Sequence, residues 1–479
     1  MAEKRWLLIN PPTGKYIRET RCQAPVKGII ATSLRPPLDL AYIAACVRKH
    51  SCECKIVDYP AEELGWDHFK REIHTFKPDF VVASTTTFTI REDTKTFKII
   101  KEINPEIVTL AKGAVFYVKD QDILEKCTYL DIAVINDDEM GFSDIAAGYQ
   151  LSQIPGIIYR DGGHIIKNKP RMPINLDDLP YPRRDLINNQ LYVRPDNGEL
   201  QTTILVGRGC NAHCIYCIAP LVGGSSVRYR SVDSVIDEVK FCINKYKIMN
   251  FYFLADNFTA DRQWVFDFCK KILANDIAVN WTCNSRVDSL DDERLSWMKR
   301  AGCWGISMGI ESGSQEILDK IGKGVKLIKI KNSVALCKKY GMVGLFHFMI
   351  GFPWDSKKTV NATIKFARSL KGGIIEFNIV TPFPGTKLQE IVQKMDLILP
   401  EKTLDKVDYS VPVIRTLWLS SEDLSKLRKK AFITLYCDPL FWINSLKLIK
   451  SAKQFWFCFK MFFKKLAWIV VPYFSSHKG

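Results

Sequence analysis

Through the first 150 residues, short apolar runs alternate with segments of helical periodicity. Residues 6–10 read as a strand, followed by a Pro-Pro-Thr-Gly loop. Residues 38–49 read as a helix, 54–58 as a strand and 80–84 as a buried strand. Residues 97–103, 107–112 and 132–135 continue as helix, strand and strand. Strands spaced by helices predict an α/β unit with a doubly wound parallel sheet, whose ligands sit beyond the carboxyl ends of the strands. The loops that matter are therefore 10–14, 84–89, 112–116 and 136–141.

Residues 156–159 and 164–167 flank Asp161-Gly162-Gly163, a hairpin signal, and the proline-rich acidic stretch 175–182 reads as a linker. A second alternation starts at Thr202. Its strands are predicted at 203–207, 250–254, 279–283, 305–309, 344–350 and 374–380, with helical patterns such as 231–246, 291–301 and 359–370 between them. Six βα units predict a partial TIM-type barrel with its chemistry at the C-terminal strand ends. The expected division is 1–150, a hairpin and linker at 151–200, a barrel at 201–390 and a helical C-terminal region at 391–479.

Composition narrows the class. The chain of 479 residues has room for several cores, and 47% apolar with 25% charged residues excludes a disordered chain. Most of the 15 cysteines are scattered singly, as buried thiols are. Cys52 and Cys54 share one strand face and read as core. No N-terminal run has the form of a secretory signal, so a reducing cytoplasm is expected. The net charge of +16 is concentrated late: from Phe441 onward there are lysines and no acidic residue. Lys447, Lys450, Lys453, Lys460 and Lys464 recur at intervals compatible with one helix face, among Phe, Trp, Leu and Ile. An amphipathic tail of this kind points to an anionic membrane surface before it points to nucleic acid; the alternative is a basic helix packed on the barrel. It is not a transmembrane span, because each central lysine would cost ~2.5–3.5 kcal/mol.

The candidate chemistry lies in Gly207-Arg-Gly-Cys-Asn-Ala-His-Cys-Ile-Tyr-Cys217. Cys210, Cys214 and Cys217, directly after the first barrel strand, can hold three irons of a [4Fe–4S] cube and leave the fourth open for chemistry. A structural zinc site would want a second ligand pair, which the sequence lacks. His213, inside the loop, could imitate a fourth ligand.

This loop, with Tyr216 before its last cysteine, resembles the signature of the radical S-adenosylmethionine (SAM) enzymes. The resemblance implies that the open iron chelates the amino and carboxylate groups of SAM. One electron then cleaves SAM to a 5′-deoxyadenosyl radical, which abstracts hydrogen from an unactivated carbon. The electron donor would be a flavodoxin or ferredoxin. By position at the strand ends, Asp256 stands where relatives grip the SAM amino group, although their Gly-Gly-Glu run is missing. Asn284 and Arg286 follow the third strand, and Arg286 can pair with the SAM carboxylate. Glu311 and Ser312 resemble the ribose-contacting segment, and the loop opening at Gly351 resembles the adenine-side loop. Asp256 could instead cap a helix near Thr259, and Arg286 could bridge to Asp288. His347 lies within a strand, as a core residue or a barrel-lining proton carrier.

The first 150 residues, including the stretch from Arg35 to Ala45, resemble the Rossmann-like cobalamin-binding domain that precedes many radical SAM barrels. That resemblance assigns Pro12, Thr13, Ser84, Thr85, Thr86, Gly113 and Glu139 to the cobalamin side. The DxHxxG sequence that supplies a histidine to cobalt is absent, so the lower cobalt face is expected to lack one. The alternative is a vestigial domain kept for packing. The whole resembles relatives of hopanoid methylases and of the anaerobic magnesium-protoporphyrin monomethyl ester cyclase. It implies cobalamin-dependent C-methylation of a lipid-like substrate, or ring closure, rearrangement or carbon–carbon bond formation. The reading from another class is a non-catalytic Fe–S sensor or membrane-docked scaffold.

Overall fold

The structure is a computed structural model. It describes residues 3–19, 23–26, 34–117, 120–135, 138–194, 196–400, 402, 404, 408–440, 455, 456 and 459. The first half contains β1 (Arg5–Asn10), β2 (Tyr16–Arg18), β3 (Gln23–Pro25), β4 (Glu53–Asp58), β5 (Phe80–Ser84), β6 (Val108–Lys112), β7 (Ile132–Val134), β8 (Ile157–Asp161) and β9 (His164–Lys167). Seven of these form one sheet in the order β4-β1-β5-β6-β7-β8-β9. The apolar run of β1 is continuous because the strand is covered on both faces: Trp6 and Leu8 enter one apolar cluster, Leu7 and Ile9 the other.

Five strands are parallel, as the periodicity predicts, but β8 and β9 add to the edge in antiparallel fashion. The predicted hairpin therefore extends this sheet instead of standing in a separate connecting segment. The chain passes from β1 to β4 on one side and then to β5 on the other. That places the topological switch point between β1 and β5, where a doubly wound sheet opens its ligand crevice. The separate hairpin β2–β3 and the helix Trp66–Phe76 have no counterpart in the sequence reading.

The second half contains β10 (Gln201–Leu205), β11 (Gly207–Arg208), β12 (Arg228–Tyr229), β13 (Asn250–Leu254), β14 (Asn280–Ser285), β15 (Cys303–Glu311), β16 (Val343–Ile350) and β17 (Ile374–Ile379). Six run parallel in the order β10-β13-β14-β15-β16-β17. The predicted strand at 203–207 is split: β10 ends at Leu205, and β11 pairs antiparallel with β12 to launch the cysteine loop. Helices sit between successive strands with capping side chains at their starts. Examples are Ser231 on Ser234, Asp261 on Trp264 and Asp291 on Arg294. A late helix, Ser421–Tyr436, packs Phe432 edge-on to Phe377 of β17 at 5.6 Å.

Among the described residues no helix is long and apolar enough to cross a membrane. The basic aromatic tail lies outside the described residues, apart from Phe455, Trp456 and Phe459, whose rings are exposed and pack on one another.

Candidate active site

The cysteine loop is held by its backbone. Gly209 has φ +90, and a Cβ there would stand 2.0 Å from the Ser226 carbonyl oxygen, so only glycine leads into Cys210. The Gly209 amide donates to Asp256 Oδ2 at 2.7 Å, the Cys210 amide to Gly224 O at 3.1 Å and the Ile215 amide to Ile321 O at 3.1 Å. Asp256 therefore does not cap the next helix, which Asp261 caps; it ties the end of β13 to the cysteine loop.

Cys210, Cys214 and Cys217 all line a cavity of about 640 Å³. Three thiols on one short loop of the cavity are the ligand set for three corners of a cube. His213 is exposed and does not line the cavity.

Asp256, Asn284, Arg286 and Glu311 reach the same cavity from the ends of three successive strands, β13, β14 and β15, together with Tyr216. Asn284 donates to the Tyr252 hydroxyl at 2.6 Å. Arg286 does bridge to Asp288, at 3.0 and 2.8 Å, and it also donates to Lys323 O at 2.8 Å and lies 3.6 Å from Cys214 Sγ. Burial opposes the Arg286 charge, but Asp288 and the Cys214 sulfur outweigh it and hold the guanidinium more firmly protonated. Glu311 has φ +70 and pairs with Lys323 at 2.9 Å, both side chains being buried. Burial and the Glu311 carboxylate push the Tyr216 hydroxyl well above the usual tyrosine range.

Ser312 and Gly351 are not brought into the cavity. Ser312 Oγ is engaged by Thr363 at 3.0 Å and by the Ser314 amide, and the Gly351 amide donates to Asp355 at 3.0 Å. Lys323, absent from the sequence reading, is the added member; its only signal is the turn Gly322-Lys323-Gly324.

The first half closes the cavity from the other side through Ile17, Ala24, Pro25, Leu34, Arg35 and Pro36. Arg35 stacks over the Tyr252 ring at 3.8 Å and pairs with Glu19. Behind this wall, at the switch point, one buried carboxylate gathers the loops. Asp93 accepts from Thr13 Oγ1 at 2.6 Å, from the Thr86 amide at 3.2 Å and from Arg18 at 3.2 Å. Thr85 Oγ1 donates to Lys112 O at 2.9 Å, and Gly113 abuts Thr85 so closely that a Cβ would lie 2.4 Å from Thr85 Oγ1. Pro12 is half-buried beside Thr13. Glu139, assigned to cobalamin by sequence, is buried and forms a double hydrogen bond to Arg208, two residues before Cys210. Its task in the structure is to join the two halves. Asn136 and Asp137 of the same loop lie outside the described residues.

A family model for the B12 binding domain matches residues 30–146, and one for the radical SAM superfamily matches residues 204–367. The chain is 32% identical to an uncharacterized methyltransferase of Pyrococcus horikoshii over 441 residues, covering 90% of this chain and 92% of the relative. The chain belongs to the cobalamin-binding radical SAM enzymes. It is also 25% identical to the anaerobic magnesium-protoporphyrin IX monomethyl ester cyclase of Rubrivivax gelatinosus, over 79% of this chain and 70% of that protein. The solved structure of the radical SAM methyltransferase TsrM from Kitasatospora setae, with cobalamin and a [4Fe–4S] cluster bound, shares the fold. Its TM-score is 0.69 at 15% identity, covering 97% of this chain and 99% of that one.

As in that family, the cofactors are a [4Fe–4S] cluster, SAM and cobalamin. The residues present fit all three. Three thiols share one loop of the cavity, and charged side chains surround them. At the switch point, Asn10 Oδ1 and Ser84 Oγ are buried without a hydrogen-bond partner among the described residues, as if awaiting a polar ligand. Of the histidines in the first half, His50 bonds Ser143, His68 and His74 lie on the helix Trp66–Phe76, and His164 lies on β9; none is on the loops after β1, β5 or β6.

Proposed function

We propose that this radical SAM enzyme transfers a methyl group to an unactivated carbon of an apolar, lipid-like substrate. The observation that carries the reading is the convergence, on one cavity, of three cysteines from one half and a wall built from the other. When bound, the cluster and SAM supply a 5′-deoxyadenosyl radical and cobalamin supplies the methyl group. Cys210, Cys214 and Cys217 are the cluster ligands. Arg286, held beside Cys214, takes the SAM carboxylate; Asp256 takes the amino group; Glu311, fixed by Lys323, accepts from the ribose hydroxyls. Arg208 and Glu139 hold the cobalamin-side loop against the cluster loop. Thr13, Ser84, Thr85, Thr86 and Gly113 would hold cobalamin, and no histidine stands on the loops after β1, β5 or β6 to meet it.

The six parallel strands are read as a partial (β/α)6 barrel over 201–390, joined through 151–200 to a cobalamin domain over 1–150. The region 391–479 ends in an amphipathic helix that docks on an anionic membrane. Work without oxygen and a flavodoxin or ferredoxin donor complete the reading. Its six lysines between Lys447 and Lys465 contribute at most ~1 kcal/mol each near such a surface, and screening weakens this as salt rises.

Anaerobic reconstitution with iron, sulfide, dithionite and SAM should yield 5′-deoxyadenosine. Each of Cys210→Ala, Cys214→Ala and Cys217→Ala should abolish both cluster absorbance and SAM cleavage. A variant that keeps both refutes the ligand assignment, and a cluster that never cleaves SAM points to a sensor. Bound corrinoid should show a base-off spectrum. Liposome co-sedimentation of the full chain against a truncation near Pro439 tests the tail; equal partitioning refutes it.

A further inference from the structure

Deeper in the same cavity, three side chains on adjacent strands form a polar row, one hydrogen bond and one ion-pair contact, that the radical reaction does not use. Ser307 on β15 lies 2.9 Å from His347 Nε2 on β16, and Glu376 on β17 lies 3.2 Å from His347 Nδ1. All three line the cavity. A closed structural triad would be sealed from the cavity, whereas the His347 side chain keeps 31% of its surface open. Ser307 precedes Glu311 by four residues on one strand, which is roughly 13 Å of extended chain. The group therefore stands well below the strand ends where the cysteine loop lies.

Its polarity follows from the carboxylate. Glu376 Oε2, 3.2 Å from His347 Nδ1, favours the tautomer with its proton on Nδ1, which turns the Nε2 lone pair toward the Ser307 hydroxyl. Ser307 Oγ then has only lone pairs to offer, so a ligand must bring a donor. The surrounding charge agrees. Asp408 and Glu376 line the cavity with Arg428 and, among the described residues, are the two carboxylates that act on its guanidinium. Burial pushes Arg428 down to about 10 while Asp408 and Glu376 pull it up, so at neutral pH it remains a cation. Two carboxylates against one cation disfavour an anionic group. On the cavity face of β16, His347 is flanked by Leu345 and Met349, so the wall around the polar spot is apolar.

We propose that Ser307, His347 and Glu376 bind a neutral hydroxyl head group of an otherwise apolar substrate, whose reacting carbon lies on the order of 10 Å away at the cysteine loop. This rests on reading the cavity as the seat of the radical reaction, and it names the polar end of the substrate that such a cavity selects.

The test uses two isomers of C10H22O, decan-1-ol and 1-methoxynonane, which differ in whether the oxygen carries a proton. Each is titrated calorimetrically into the anaerobic, SAM-loaded holoenzyme, with decanoate as a third probe. The alcohol should bind at least about tenfold tighter than the ether, the ratio expected when a site built to receive a donor meets a ligand without one. In Ser307→Ala and in His347→Phe the preference should fall below about twofold. Ser307→Ala changes little volume and keeps the test decisive if His347→Phe fails to fold. Equal binding of the isomers, no binding of the alcohol, tighter binding of decanoate, or an unchanged preference in Ser307→Ala overturns the proposal. Holoenzyme that keeps the alcohol preference but forms no 5′-deoxyadenosine overturns only the radical reading. Holoenzyme that cleaves SAM and treats the isomers alike overturns only this inference.

Discussion

Each half of the chain builds a loop beyond a strand end around one buried aspartate, and the two are compensated differently. Asp93 accepts from the Thr13 and Thr89 hydroxyls, the Thr86 amide and the Arg18 guanidinium. Arg18 also donates to the Ser84 carbonyl at 2.7 Å, so one ion pair joins the loops after β1 and β5 to the β2–β3 hairpin. Asp355 accepts from the Gly351 and Phe352 amides at 3.0 and 3.1 Å and from Thr359 at 2.7 Å, and among the described residues it forms no ion pair. Its carboxylate reaches only its own loop and the first turn of the helix that follows. A countercharge lets one carboxylate bind distant segments; hydrogen bonds alone shape a local turn but leave the charge poorly solvated.

The largest effect should come from Asp93→Ala. It leaves Arg18 buried without its partner and should cost about 4 kcal/mol in denaturant unfolding, with loss of retained corrinoid. Full corrinoid retention would show that the loops do not depend on this carboxylate. Arg18→Met probes the other side of the pair. It strips the buried Asp93 carboxylate of its countercharge and should cost about 3 kcal/mol in denaturant unfolding. Unchanged stability in Arg18→Met would refute the comparison.

Gly113→Ala tests the same platform through its backbone. Gly113 has φ +152, and an added Cβ would meet Thr85 Oγ1 at 2.4 Å and the Thr85 carbonyl at 2.6 Å. A backbone oxygen cannot swing aside, so the substitution should cost about 2–3 kcal/mol. The damage should fall on corrinoid retention, while the cluster absorbance of the second half persists. Loss of both would mean that the halves do not load separately.

What was legible in the sequence follows from the range of the interactions. The cysteine loop needs only three like ligands within eight residues, so its chemistry is visible locally. The strands were visible because burial on both faces produces unbroken apolar runs, as in β1 and β5. Thr13 and Asp93 are 80 residues apart, and Lys323 meets Glu311 across the short helix Gln315–Lys320, so no local pattern announces them. Glu139 looked like a ligand residue because it follows a strand end; only the fold brings Arg208, 69 residues on, to claim it. Ser312 and Gly351 matched a family segment, but position in a motif does not fix where a side chain points. His347 was ambiguous because a strand period marks a face, and the face of β16 that lines the cavity and the face packed in the core both lie inside the molecule.

The smallest effect expected is the pH signature of Asp355. Burial raises this carboxyl from 3.8 to about 6, with the hydrogen bonds from Thr359, Gly351 and Phe352 pulling the other way. A folded-state value above the unfolded one means that the folded protein holds the proton more tightly. The stabilising contribution is full below about pH 4 and is lost as pH rises through about 6. Between about pH 4.5 and 7 the loss amounts to about 2 kcal/mol. Asp355→Asn keeps a carbonyl oxygen for the amides but has no proton to release, so it should lack this slope. Other titrating groups are common to both proteins and cancel in the difference. The stability of Asp355→Asn relative to the wild type should therefore rise by about 2 kcal/mol across that window, read from urea unfolding at each pH. A constant offset would mean that Asp355 is already compensated by charge in solution, and the contrast with Asp93 would fail.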